Sequence, residues 1–373
     1  MPKVTRGLPV LGLALVLIAA AGIGLALGTN VFQTAGTSTV GLPASAPARA
    51  SHARSAVGPS VPGDSGSAAR RARRNCFENP ETEGTARIEA CGYPGPKNTG
   101  VADCAALEPS GSVIADAPGQ RIEHLNITGT ITVDASNVTI DHVCVTANGG
   151  GQIGSKAVNL EDGATDTTVS DSTIRGENES NKSVEEAIAN DHDYAGATAI
   201  DDRIYNCGEC IHETWAVSHS YVIVNGMKGT ADHLEDWYFN DTTVSAVDDT
   251  LLNPQDQTAI MFGDTDLGGG GPCRNHLTAI DNLIAGGDYM FYPCGNSSSA
   301  GTSTMTIAGN RFARCLGATS YQASTGGTVC AGGSRAHGYF PHGGLYGPVT
   351  SDYTGAGQLW RGNYWDNNLA AAP

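Results

Sequence analysis

The chain has 373 residues, with 21 Lys+Arg against 38 Asp+Glu and ten cysteines. The charge is unevenly spread: residues 75–373 hold 13 of the basic and 37 of the acidic groups, a net −24. Such a surface repels polyanions, which excludes nucleic acid as a partner.

Residues 1–28 read as a targeting or anchoring segment. Lys3 and Arg6 precede an apolar run from Leu8 to Gly28, about 21 residues and long enough to span a bilayer as a helix. Positive charge ahead of it leaves the remainder outside the cytoplasm. A cleaved signal peptide and a retained membrane anchor through residues 8–28 both fit, because the nearest small-x-small site is the distant Ala44-Ser45-Ala46. Either way the protein is expected outside the cell or at its surface. Residues 29–74 are rich in Ala, Ser, Pro and Gly, end in Arg70-Arg71-Ala72-Arg73-Arg74, and read as a disordered linker.

The folded domain is placed at 75–373. All ten cysteines lie there, and an even count outside the cytoplasm argues for disulfides. Sequence-local pairing suggests 76–91, 104–144, 207–210, 273–294 and 315–330. Cys207-Gly-Glu-Cys210 also has the spacing of a redox or zinc half-site, but no matching second half follows. From Asn75 to about Gly119 the chain is irregular and reads as a cap over the first coil of a solenoid.

The stretch Asn137-Val138-Thr139-Ile140-Asp141-His142-Val143-Cys144-Val145 is β-branched and alternating, and its pattern recurs. Aligned on Ile140, the series runs Ile122, Ile140, Val169, Ala199, Val222, Val244, Ala279, Ile307 and Trp360. Five residues further on, every position is apolar except Asp249. Three residues on, Asn225, Asn282, Asn310 and Asn363 share a column, and stacked amides can hydrogen-bond from coil to coil. The best helical signal, Ser183 to Ala189, is two turns at most. An antiparallel sandwich also has short strands with regular turns. The shared columns favour an all-β, parallel β-helix.

Further residues carry a resemblance. They are Gly92-Tyr93-Pro94-Gly95-Pro96-Lys97-Asn98-Thr99-Gly100-Val101, Thr258-Ala259-Ile260-Met261-Phe262-Gly263, Gly343-Gly344-Leu345-Tyr346-Gly347-Pro348-Val349 and Gly362-Asn363-Tyr364-Trp365-Asp366. Over about residues 92–368 the chain resembles the exported right-handed parallel β-helix proteins of actinobacteria, in the pectate-lyase-like superfamily. The resemblance implies a glycan groove along one sheet, walled by long loops. It does not fix an activity, since many such proteins have no assigned reaction.

Three clusters then stand out. His212-Glu213-Thr214-Trp215 and Asp232-His233-Leu234-Glu235-Asp236-Trp237-Tyr238 put a histidine at nearly the same phase before the aligned strands. One patch of His212, Glu213, His233, Glu235 and Asp236 is therefore expected, as acid, base or nucleophile in glycan cleavage. Trp215, Trp237 and Tyr238 are the expected sugar platforms. The resembling proteins carry a His-Asn-Asp-Gly motif at the level of His233 to Asp236, and this chain matches it only at its first and last residues. The competing reading is a polar strand edge satisfied by its neighbours.

The carboxylates Asp248, Asp249, Asp256, Asp264 and Asp266 form a candidate Ca²⁺ site. Pectate-lyase-like enzymes often use such an ion to neutralise a uronate. Asp248-Asp249 also resembles the paired aspartates of polygalacturonases, but the Gly-His-Gly and Arg-Ile-Lys of that family are missing. Solvated turn aspartates are the plainer reading. A late loop, Arg335 to Gly344, adds His337 and Tyr339 as substrate contacts if it covers the groove; a C-terminal cap is the alternative. Gly268 to Gly271 lacks the lysine of a phosphate loop, and no Gly-x-Ser-x-Gly elbow is present. The expected function is an exported polysaccharide lyase or glycoside hydrolase acting on a polysaccharide or wall glycan. The alternative is a non-catalytic glycan-binding, adhesive or structural surface protein.

Overall fold

The computed structural model describes residues 88–190, 196–227, 234–240, 243–253, 259–264, 274–287, 289–292, 303–313, 321–322, 328–330, 347–349 and 358–365. All lie within one compact unit, Val61–Pro373. The signal or anchor segment, the linker, His233, Asp256, Asp266, His337 and Tyr339 fall outside the described residues, and of Asp264 only the backbone is described. Among the described residues no helix is long and apolar enough to cross a membrane.

The domain is a parallel β-helix, consistent with the right-handed form. Three parallel sheets, here sheets I, II and III, contain ten, nine and nine strands. Each coil contributes one strand to each sheet, in the order III, I, II. A coil has no core of its own, so stacking is what buries its apolar faces. Sheet III turns Ile122, Ile140, Val169, Ala199, Val217, Ala246, Ala279 and Ile307 inward, and all are buried. Sheet I supplies Ile127, Val145, Ile174, Ile204, Val222, Leu251, Ile284 and Phe312. Sheet II supplies Ile131, Val158, Ile188, Ile211, Trp237, Met261 and Phe291.

One corner explains the constant spacing of five between the first two columns. Two residues past the sheet III column, the chain enters the left-handed region in every coil. His124, His142, Asp171, Asp201, His219, Asp248, Asp281, Gly309 and Gly362 all have φ between 48° and 69°. Short polar residues, histidine and glycine tolerate that conformation better than bulky apolar ones.

The next position forms a polar ladder inside the corner. Ser172 Oγ accepts from Val143 N at 3.1 Å, Asp202 Oδ1 from Ser172 N at 2.8 Å, and Ser220 Oγ from Asp202 N at 3.0 Å. Asp249, Asn282, Asn310 and Asn363 continue it, each accepting from the rung one coil back at 2.8–3.0 Å.

This register corrects the sequence alignment in two coils. The residues in register with the sheet III column are Val217 and Ala246, not Val222 and Val244. Val222 belongs to sheet I, so the alignment skipped a corner there. Five residues past Ala246 is Leu251, and the apparent misfit at Asp249 disappears: it is a ladder rung. Asn225 is not a rung; Ser220 holds that place. The segment read as helical is strand Glu186–Asn190 of sheet II, because it pairs with Lys156–Leu160 on one side and Ile211–His212 on the other.

The N-terminal segment is also corrected. Strands Glu108–Ser110 and Val113–Ala115 belong to the first coil, pairing with Leu125–Thr128 and Ile131–Val133. Residues 88–101 form a strap over the outer face of sheet I. Ile88, Cys91 and Tyr93 cluster with Tyr221, Leu252, Leu283 and Ala285. Gly100 N donates to Asp201 O at 2.7 Å and Val101 N to Thr173 Oγ1 at 3.1 Å. Disulfides join Cys104 to Cys144 and Cys207 to Cys210, as expected. Cys91 is disulfide-bonded as well. The 273–294 and 315–330 pairs, and the partner of Cys91, fall outside the described side chains.

Candidate functional site

The III-to-I corner is short in every coil, so connections of variable length lie only on either side of sheet II. They run, for example, from Gly176 to Glu186 on one side and from Asp264 to His276 on the other. The outer face of sheet II is therefore the face set between long loops.

Strand pairing aligns outward positions on that face. His212 pairs with Ala189 behind it and with Tyr238 ahead, and Tyr238 is followed by Phe262 and Tyr292. Successive strands in a sheet are about 4.8 Å apart, so this register puts Tyr238 one strand from His212 and Tyr292 two strands beyond Tyr238 at the same position. The His212 and Tyr238 rings are 4.8 Å apart, tilted at 45°.

Carboxylates surround the imidazole. His212 Nδ1 lies 2.7 Å from Glu209 Oε1, an ion-pair distance without ideal hydrogen-bond alignment. The same nitrogen is 3.7 Å from Glu186 Oε1, and Nε2 is 3.9 Å from Glu213 Oε1. Glu186 Oε2 in turn is 3.7 Å from Lys156 Nζ, on the preceding strand. Burial by itself lowers the His212 pKa, but Glu209, then Glu186 and Glu213, outweigh it and push it up to about 9. The imidazole is thus a cation at neutral pH, with a side chain 19% exposed. It is equipped to give a proton rather than to take one.

Local structure fixes the pair. The Cys207–Cys210 disulfide ties the tight turn that carries Glu209. Glu209 N donates to Glu185 O at 2.8 Å, and Gly208 N donates to Val184 O and Glu185 O. Ile211 then enters the core, so His212 must face outward.

Of the residues expected from sequence, His212, Glu213 and Tyr238 meet here. In the next coil His212 pairs with Tyr238, and His233 lies outside the described residues. Glu235 is fully buried, and its backbone oxygen accepts from Cys210 N at 3.0 Å. Asp236 is buried elsewhere, beside the Leu252 N–H and within electrostatic reach of Tyr221. It is not part of the His212 group. Trp237 is a core residue with no exposed surface, so it is not a sugar platform. Trp215 is 40% exposed, but it covers Gly196 at the edge of sheet III.

Of the candidate Ca²⁺ ligands, Asp256, Asp266 and the Asp264 side chain lie outside the described residues. Asp248 occupies the left-handed III-to-I corner and Asp249 is buried in the ladder, whereas Asp264 ends a strand of sheet II. Among the described residues no group of three or more His, Cys, Asp or Glu is arranged to hold a metal ion.

Glu209, Glu186 and Lys156 were missed from sequence. Glu209 lies between the two cysteines of Cys207-Gly-Glu-Cys210, and Glu186 lies in the segment with the helical signal. Comparison with known proteins adds no relative: no protein family, no curated protein and no solved structure matches this chain.

Proposed function

We propose that this is an exported carbohydrate-active protein, akin to pectate-lyase-like β-helices, that handles a glycan along the outer face of sheet II. The two disulfides suit an oxidising compartment. The observation that carries the reading is the Glu209–His212–Tyr238 arrangement on a partly exposed sheet face. Tyr238 and the aromatic positions beyond it suit sugar rings laid along the solenoid axis.

The chemistry follows from the charge state of His212. As a cation it donates a proton to the departing glycosidic oxygen. Glu213 or Glu186, both within 4 Å of the ring nitrogens, takes the complementary base role. Glu209 keeps the imidazole charged and oriented. This division serves hydrolysis, where the base activates water, and β-elimination from a uronate, where it takes the α-proton.

The test is incubation of the protein with plant, algal and bacterial wall glycans, with and without Ca²⁺. New reducing ends or unsaturated-uronate absorbance are expected on at least one glycan. His212→Gln is expected to cut the rate by about 10²–10⁴-fold. No cleavage of any glycan overturns the catalytic reading. Glycan binding that survives His212→Gln but fails in Tyr238→Ala would then mark a non-catalytic binding protein.

A further inference from the structure

A second feature lies on a different face, where the strap crosses sheet I. A cavity of about 290 Å³ is lined by Pro96, Arg203, Tyr205, Tyr221, Ile223 and Asn225. That is the size of a site for one small ligand. Arg175 sits beside it, paired across the sheet with Tyr205. The two guanidinium groups lie 5.6 and 5.9 Å from the centre of the Tyr205 ring.

Among the described residues neither arginine has a carboxylate partner. Arg203 donates through Nη1 to Pro96 O at 2.6 Å, and through Nη2 to Val101 O at 2.8 Å and Thr173 Oγ1 at 3.1 Å. Its buried Nε has no hydrogen-bond partner. Arg175 donates through Nε to Thr146 Oγ1 at 3.1 Å and through Nη1 to the Tyr205 hydroxyl. All of these acceptors are neutral. Burial lowers the Arg203 pKa, and the charge of Arg175 lowers it further.

Two neighbouring cations held only by neutral groups are unexpected in a domain of net charge −24. Coulomb attraction should have drawn in carboxylates, which the chain has in excess. Asp236 and Glu89 lie within electrostatic reach of Tyr221 on one wall, and Glu179 accepts from Asn225 Nδ2 at 3.0 Å, but among the described residues none of the three pairs with either arginine. Asn225 and the tyrosines add neutral polar and aromatic surface, as a sugar ring requires.

We infer that this cavity is a binding site for a single sugar acid, its carboxylate against Arg203 and Arg175 and its ring against Tyr205, Tyr221 and Ile223. The site is separate from the face of sheet II and does not rest on the reading of that face. It needs the strap, since Pro96 forms one wall and Arg203 is oriented by the strap carbonyls. Occupancy would bring a counter-charge to two unpaired cations and hold the strap down.

Isothermal titration of the protein with glucuronate, galacturonate, glucose and sodium sulfate tests this. Saturable binding of at least one uronate, weakened by added salt, and none of glucose, is the expected result. Arg175→Gln is the informative variant, because Arg175 makes no contact with the strap; it should weaken uronate binding roughly tenfold or more. The inference is overturned if no uronate binds, if glucose or sulfate binds as well as the uronates, or if Arg175→Gln has no effect. Loss in His212→Gln with retention in Arg175→Gln would move the sugar acid to sheet II and overturn it too.

Discussion

Ser220 N donates to Asp249 Oδ1 at 2.8 Å, one coil ahead, in a place where the later coils use asparagine. The substitution of acid for amide matters because the corner is closed to water. In Asn282, Nδ2 donates to Ala246 O at 3.1 Å and to Asn310 Oδ1 at 3.0 Å. Asp249 has no such donor when ionised. Its Oδ2 has no well-formed hydrogen bond, with the Val247 N–H nearby, and burial pushes its pKa well above the usual range. Asp202, one coil further back than Ser220, is raised for the same first cause.

Replacing Asp249 by Asn should therefore stabilise the domain at neutral pH, by on the order of 1–3 kcal/mol. The sign follows from linkage. An acid with a raised folded pKa contributes fully below its unfolded value, near 4, and loses that contribution as pH rises toward the folded value. Thermal unfolding at pH 4 and pH 8 checks this. The gain from Asp249→Asn should be small at pH 4 and largest at pH 8.

His212 obeys the same linkage at higher pH. A histidine raised to about 9 adds stability that is complete below its ordinary value of 6.5 and is lost as pH climbs through 9. Glu209→Gln removes the largest raising partner, so the imidazole midpoint should fall by about one unit or more. Histidine ring NMR across pH 6–10 reads this directly, and the pH profile of any glycan cleavage should move with it.

Two tryptophans expected to hold sugars should separate cleanly. Trp237 is enclosed in the core with Phe239, so Trp237→Ala should cost about 3–5 kcal/mol. Trp215 is substantially exposed, and Trp215→Ala should cost about 1 kcal/mol or less. Chemical denaturation of both variants measures the difference. A glycan affinity loss in Trp237→Ala without unfolding would contradict its placement.

The strap depends on one backbone contact. Gly100 has φ +60°, and a Cβ there would meet Ser172 O and Thr173 Oγ1 at 2.7 Å and Arg203 Cβ at 2.8 Å. Gly100→Ala should lift the strap from sheet I and destabilise the domain by about 1–3 kcal/mol. Limited proteolysis should cut near residue 100 in the variant and spare the native chain. Uronate binding should be lost with it.

Much of the architecture was legible before any coordinates. The recurring apolar columns, five residues apart, reflect a corner of fixed length, and fixed spacing survives in sequence. The asparagines at 282, 310 and 363 were visible for the same reason. Asp249 was not, because aspartate, serine and asparagine are interchangeable as acceptors on the ladder but look unlike one another in a column.

The candidate site was less legible because it depends on pairing between strands of sheet II, whose flanking loops vary in length. Sequence grouped His212, Glu213 and Tyr238 from their chemistry alone, and the structure brings these three close together. Only the tertiary register could show that Ile188 pairs with Ile211 and Ile211 with Trp237. From that follow Glu186, Glu209 and His212 as one group, Trp237 as core, and Asp248, Asp249 and Asp264 as residues of different corners and sheets. Local pattern determines which residues make strands and turns. Which side chains meet across coils is set by loop length and burial, and a single chain reveals these only when stacked.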